Sequence, residues 1–122
     1  MDDLYNFDAE AFNMSAKEAT NIDPQQRVLL EVTHQALEDA NMAFRGSNTG
    51  VFIGAGASYF SQMASVSPFH INEYTATGSS LSILANRISF CFDLRGPSMT
   101  IDSACSASGS ALHMACWYVS NV

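Results

Sequence analysis

Basic residues are scarce in this sequence: Lys17, Arg27, Arg45, Arg87 and Arg95 stand against twelve acids, for a formal charge of -7. The five are scattered and form no patch, which argues against a nucleic-acid backbone or an anionic membrane as partner. Long apolar runs are missing too, and the acidic opening MDDLYNFDAE has neither the basic nor the apolar region of a secretory signal, so the cytoplasm is the expected compartment. Cysteine is sparse. Cys91, Cys105 and Cys116 form an odd set at spacings of fourteen and eleven, which matches neither a disulfide framework nor a CxxC pair, and they are expected to be reduced thiols. No group of His, Cys, Asp and Glu has metal-ligand spacing. Gly54-Ala55-Gly56 opens like a dinucleotide fingerprint, but Tyr59 stands in place of the third glycine and no suitable acid follows.

What is present suits one small globular domain: 122 residues, 48% of them hydrophobic, with no internal repeat, low-complexity tract or linker. Ser15 and Glu18 have the spacing of a capping box, which predicts a short helix over residues 15–20. Asp23 as N-cap, Pro24 at the first helical position and Gln26 as capping partner predict a long helix, with Val28, Val32, Ala36 and Ala40 on its buried face beside Leu29 and Leu37. Residues 49–54, TGVFIG, read as a buried strand. Residues 57–73 read as irregular structure or a short helix. A second amphipathic helix is expected from Gly78 to about Phe90 on the spacing of Leu81, Leu84, Ala85 and Ile88. A turn at residues 93–97 precedes a strand at 98–102. A last helix runs from Cys105 to about Val119, with Leu112, Ala115, Cys116 and Val119 on one side. The order α-β-α-β-α favours a layered α/β fold with a parallel sheet.

The stretch IDSACSASGSALHMAC places Cys105 between that strand and that helix. Unpaired amides and the positive end of the helix dipole favour an anion there, as a sulfur nucleophile requires. Ser103, Ala104, Ser106, Ala107, Ser108 and Gly109 are small enough to admit a substrate to the sulfur and to let the helix pack closely. The competing reading is a small buried hydrophobe, the common fate of cysteine. A nucleophile also needs a base. His113, eight residues after Cys105 on the same helix, is displaced from it by about 12 Å along the axis. His34 inside the long helix and His70 in the loop suit structural or surface roles better than catalysis. Asp102 beside the elbow is expected to bond turn amides.

These residues resemble the β-ketoacyl synthase (ketosynthase) domains of polyketide synthases and type I fatty acid synthases. The resemblance runs in order through FDAEAF (7–12), DPQQRVLLEV (23–32), ALEDA (36–40), RGSNTGVFIG (45–54), YTATG (74–78), ANRISF (85–90), FDLRGPSMTIDSACSAS (92–108) and ALHMAC (111–116). It implies a thiolase-like α/β layered fold, of which residues 1–122 form part of the N-terminal half, truncated at both ends. It implies that Cys105 accepts an acyl group from an acyl carrier protein for decarboxylative Claisen condensation with a malonyl-type thioester, in polyketide or fatty acid biosynthesis. The DPQQR, ALEDA and YTATG runs lean toward the polyketide enzymes. No resident cofactor is implied, because the phosphopantetheine arm arrives on the carrier protein, and the complete domain is expected to be a homodimer. The family's two later histidines and its second oxyanion amide have no counterpart motif here, so the chain alone is expected to be inactive in condensation. His113 matches a helix position of the family and not a catalytic histidine. Local departures are Asn13 and Ala16 for a usual glycine and proline, His34 for an aromatic, and Gly109 for a larger apolar residue. Gly109 weakens its helix by about 1 kcal/mol relative to alanine, and its effect falls on the acyl pocket or on packing.

Two other readings compete with this one. A non-catalytic short protein could dimerise with or bind a larger synthase through residues 98–102. An unrelated thiol hydrolase would use Cys105 with His34 or His70, although no nucleophile-base spacing supports it.

Overall fold

The structure, a computed structural model, describes residues 6–56, 60 and 72–121. Their elements are α1 (Ala16–Asn21), α2 (Pro24–Asp39), β1 (Val51–Gly54), α3 (Thr75–Ser79), α4 (Ile83–Phe92), β2 (Ser98–Ile101) and α5 (Ala107–Asn121). Short 3₁₀ turns occupy Glu10–Phe12 and Ala104–Ser106. The chain divides into two compact units, Met1–Asn41 with Ser58–Ser80 and Met42–Ala57 with Leu81–Val122. Of the stretch 57–73, whose sequence suggests a loop or short helix, residues 57–59 and 61–71 lie outside the described residues.

In the first unit the helix starts follow local chemistry. Ser15 Oγ accepts from the Glu18 amide at 3.1 Å and begins α1. Asp23 Oδ1 accepts from the Gln25 amide at 2.8 Å, with Pro24 opening α2 where its missing N–H costs nothing. Gln26, expected to help cap this helix, is used inside the unit. It is almost fully buried, and its Nε2 donates to the carbonyls of Thr77 and Gly78, each at 3.0 Å. The Asp23 amide donates to the same Gly78 carbonyl at 2.8 Å. Gly78 is required here, since a β-carbon would collide with the Asn21 carbonyl oxygen.

The face that α2 buries is therefore not the valine stripe. Gln26 and Leu30 are buried with Thr33 and Leu37 partly so, whereas Val28 and Val32 are 41% and 54% exposed. A buried amide with satisfied hydrogen bonds belongs to the core as firmly as an aliphatic side chain does, and apolar periodicity alone misplaces the stripe. Met14, Ala19 and Ile22 complete the core of this unit.

The second unit is built on a two-stranded parallel sheet in which Val51 pairs with Ser98, Phe52 with Met99, Ile53 with Thr100 and Gly54 with Ile101. Both strands lie where the sequence predicts them. The helix expected over 78–90 is divided: α3 stops at Ser79, Ser80 is extended, and α4 starts at Ile83. Leu84, Ala85 and Ile88 of α4 are buried as their spacing predicts, whereas Leu81 precedes the helix and is partly buried; Phe92, Val51 and Leu94 are buried with them. Asp93, at φ 51°, ends α4 in a left-handed turn, and the Leu94 amide returns to the Ser89 carbonyl at 2.9 Å. On the other main helix the predicted face is packed only at Ala115, which is half-buried. Ala107 and Ala111 are buried, while Leu112, Cys116 and Val119 are exposed. Small residues face the sheet because α5 approaches β1 closely.

Candidate functional site

The site is the connection between β2 and α5. Asp102 follows the strand and its Oδ1 accepts from the Ala104 amide at 3.0 Å, closing a turn across Ser103. Ala104 takes φ 52°, a left-handed conformation that costs a non-glycine residue roughly 1–2 kcal/mol. Cys105 follows at the centre of a 3₁₀ turn that leads directly into α5 at Ala107. It is exposed. The turn is tied from within: the Ser106 amide and Oγ both donate to the Ser103 carbonyl, at 3.2 and 2.8 Å, and Ser103 Oγ lies 2.8 Å from Ser110 Oγ. These bonds use the serines that flank the cysteine and leave its side chain open.

The position of α5 depends on β1. A β-carbon on Gly54 would overlap the backbone carbonyl of Ala107, so only glycine lets the first turn of α5 rest on the strand end. Further along, Phe52 and Tyr118 rings meet at 6.0 Å between centroids. Thr100 Oγ1 accepts from the Ala85 amide at 3.3 Å and joins β2 to α4. The small residues that close β1 were the sequence signal for this contact. The left-handed Ala104 and the Ser103–Ser110 pair had none, because both depend on how the turn closes.

The other sequence-derived groups are distributed differently. His113 is exposed on α5, eight residues beyond Cys105. His34 belongs to the first unit, where its Nδ1 lies 3.4 Å from Glu38 Oε2 and its ring meets Phe12 edge-on. His70 lies outside the described residues. Cys91 is half-buried in α4 and its carbonyl accepts from Arg45 Nη1, whereas Cys116 is exposed on α5. Among the described residues no three of His, Cys, Asp and Glu converge as metal ligands, and no helix is long and apolar enough to cross a membrane. Asp102 has the turn-bonding role expected of it.

An exposed cysteine on a turn between a parallel strand and a helix is an arrangement suited to covalent capture of an electrophile. Comparison with known proteins places it in a family. Residues 1–121 match the model of the β-ketoacyl synthase N-terminal domain. The chain is 54% identical over 117 residues to cyclo-acetoacetyl-L-tryptophan synthase of Aspergillus oryzae, covering 93% of this chain and 3% of that protein. It is 50% identical over 106 residues to probable polyketide synthase 1 of Dictyostelium discoideum, covering 84% of this chain and 3% of that protein. Among solved structures it is similar to the ketosynthase from module 6 of the bacillaene synthase of Bacillus subtilis, with TM-score 0.79, 31% identity and coverage of 99% and 20%. It is also similar to an oxazolomycin ketosynthase domain of Streptomyces albus, with TM-score 0.80, 33% identity and coverage of 98% and 21%. The chain thus spans about a fifth of those ketosynthase chains and has their thiolase-like fold in part. With the match extending over nearly every residue, this chain belongs to the β-ketoacyl synthase family, within its N-terminal domain.

Proposed function

We propose that Cys105 is the acyl acceptor of a polyketide-synthase-type ketosynthase. The observation that carries the reading is an exposed cysteine on the β2–α5 turn of a chain belonging to the β-ketoacyl synthase family. The acyl group comes as a thioester on the phosphopantetheine arm of an acyl carrier protein. Cys105 Sγ attacks the carbonyl carbon, a new C–S bond forms, the bond to the carrier sulfur breaks, and the thiol proton of Cys105 passes to that leaving sulfur. Charge accumulates on the carbonyl oxygen at the tetrahedral stage, and we assign the Cys105 backbone amide as one donor to it. In the following condensation a malonyl-type thioester loses carbon dioxide. Its carbanion attacks the acyl carbon, the C–C bond forms, and Cys105 departs as thiolate to be reprotonated. Acyl transfer to the sulfur is the part of this sequence that the residues of this chain carry. Polyketide or fatty acid assembly is the corresponding biosynthetic role.

Intact mass of the chain and of Cys105→Ala after incubation with an acyl-carrier protein or acyl thioester tests this reading. One acyl adduct on the parent and none on the variant is expected. Absence of an adduct, or equal labelling of Cys91 and Cys116, would overturn it.

A further inference from the structure

The side chains of residues 102–106 are bonded mostly within that stretch. Asp102 Oδ1 holds the Ala104 amide, and Ser106 Oγ donates to the Ser103 carbonyl and lies 3.1 Å from Ser103 Oγ. Among the described residues one side-chain hydrogen bond leaves the stretch: Ser103 Oγ lies 2.8 Å from Ser110 Oγ. Ser110 is half-buried in the first turn of α5. Helical side chains lean toward the N-terminus, so its hydroxyl reaches back to Ser103, on the other side of Cys105 in the chain. A left-handed residue such as Ala104 persists where the surrounding bonds over-determine it, and the Ser103–Ser110 pair adds a bond from outside the turn. The amides of Ala104 and Ser106 are occupied by Asp102 Oδ1 and the Ser103 carbonyl. That of Cys105 has no acceptor among the described residues. Its N–H lies in the peptide plane shared with the Ala104 carbonyl, so its direction follows from how Ser103 and Ala104 are held.

We infer that Ser110 is a positioning residue for acyl transfer to Cys105: through Ser103 it fixes the direction of the Cys105 amide that receives the oxygen of the attacked carbonyl. This rests on the reading of Cys105 as acyl acceptor. Ser110 touches no reacting atom. A donor turned away from the developing oxyanion stabilises the tetrahedral stage less, which slows attack on a thioester. Alkylation of the same sulfur by displacement of a halide develops no oxyanion and does not need that donor.

The experiment compares two reactions of Cys105 in the full chain: acylation by the acetyl thioester of N-acetylcysteamine and alkylation by iodoacetamide. Rates are read by mass with peptide mapping, Cys105→Ala serving as blank and labelling of the half-buried Cys91 as a check on the fold. Ser110→Ala and Ser110→Val remove the hydroxyl, whereas Ser110→Thr keeps it at about the volume of valine. The first two should lower the acylation-to-alkylation ratio about three- to tenfold, the factor one neutral hydrogen bond supplies, and Ser110→Thr should hold it within about twofold. Adding Ser103→Ala to Ser110→Ala should lower it no further, because both remove the same contact. Alanine favours a helix more than serine does, so Ser110→Ala keeps the test valid if the valine variant does not fold. An unchanged ratio in Ser110→Ala, with the parent acylated, overturns the role of Ser110 and leaves Cys105 as acceptor. So does a ratio in Ser110→Thr as low as in Ser110→Val, or a fall in both reactions with faster labelling of Cys91. Failure of the parent to take the acetyl group overturns both readings.

Discussion

Gly54 closes β1 directly against the backbone of Ala107, the first residue of α5, at a separation that leaves no room for a β-carbon. The strand end thus determines where α5 begins, and with it where the Cys105 turn lies. Gly54→Ala is expected to push α5 off the sheet, destabilising the second unit by about 1–3 kcal/mol as overpacked substitutions do. Chemical denaturation measures the loss, and acylation of Cys105 should slow several-fold in the same variant. Unchanged stability would show that α5 yields without cost.

Ala104 holds a left-handed backbone at φ 52° immediately before the cysteine. Ala104→Gly should be neutral or stabilising by up to about 1 kcal/mol, because relief of the alanine conformation exceeds the added chain entropy only slightly. Ala104→Val, with a branched β-carbon in the same conformation, should destabilise by about 1–3 kcal/mol. The difference between the two midpoints reports the backbone strain, and equal midpoints would mean that the turn relaxes.

Gln26 connects α2 to the carbonyls of Thr77 and Gly78. Gln26→Leu keeps the volume roughly but withdraws the donor; the Gly78 carbonyl keeps the Asp23 amide and Thr77 is exposed, so the expected cost is about 0.5–1.5 kcal/mol, the net worth of an ordinary hydrogen bond. Urea unfolding gives the value. A neutral result would mean that water replaces the amide.

Lys17 Nζ and Glu73 Oε1 meet at 2.6 Å, both side chains being well exposed. Their hydrogen bond, followed for Lys17 by Coulombic attraction, raises Lys17 above its ordinary 10.5. The same hydrogen bond lowers Glu73 below its ordinary 4.5. The Glu73 contribution is present above its ordinary value and is lost as pH falls through the lowered one. That of Lys17 is present below 10.5 and is lost as pH rises through the raised value. Exposed pairs add little to stability, so Glu73→Gln should return the Lys17 titration, followed by NMR, toward its ordinary value without measurably shifting the melting temperature at neutral pH.

Phe90, Leu112 and Val119 are 86%, 67% and 80% exposed in the second unit. Apolar surface of this kind promotes self-association. The isolated chain is expected to bind a hydrophobic dye and to scatter light at micromolar concentration, and the double variant Leu112→Lys, Val119→Lys should reduce both. Dispersed, dye-silent parent protein would contradict this.

Local chemistry in the sequence determined the helix starts at Ser15 and Asp23, the strands around residues 51–54 and 98–101, and the position of Cys105 between strand and helix. Each follows from residues close together in the chain, whose caps, turns and β-branched runs act over a few bonds. The ordered motifs also determined the family. Tertiary structure decided which faces are buried. Gln26 and Leu30 displaced the Val28–Val32 stripe because a distant pair of carbonyls receives the amide, and Ala107 and Ala111 displaced Leu112 and Val119 because Gly54 draws α5 close. It also divided residues 75–92 into two helices at Ser80. Periodicity records how much of a helix is apolar, whereas burial depends on how near the neighbouring backbone comes, and that distance is a property of the folded chain alone.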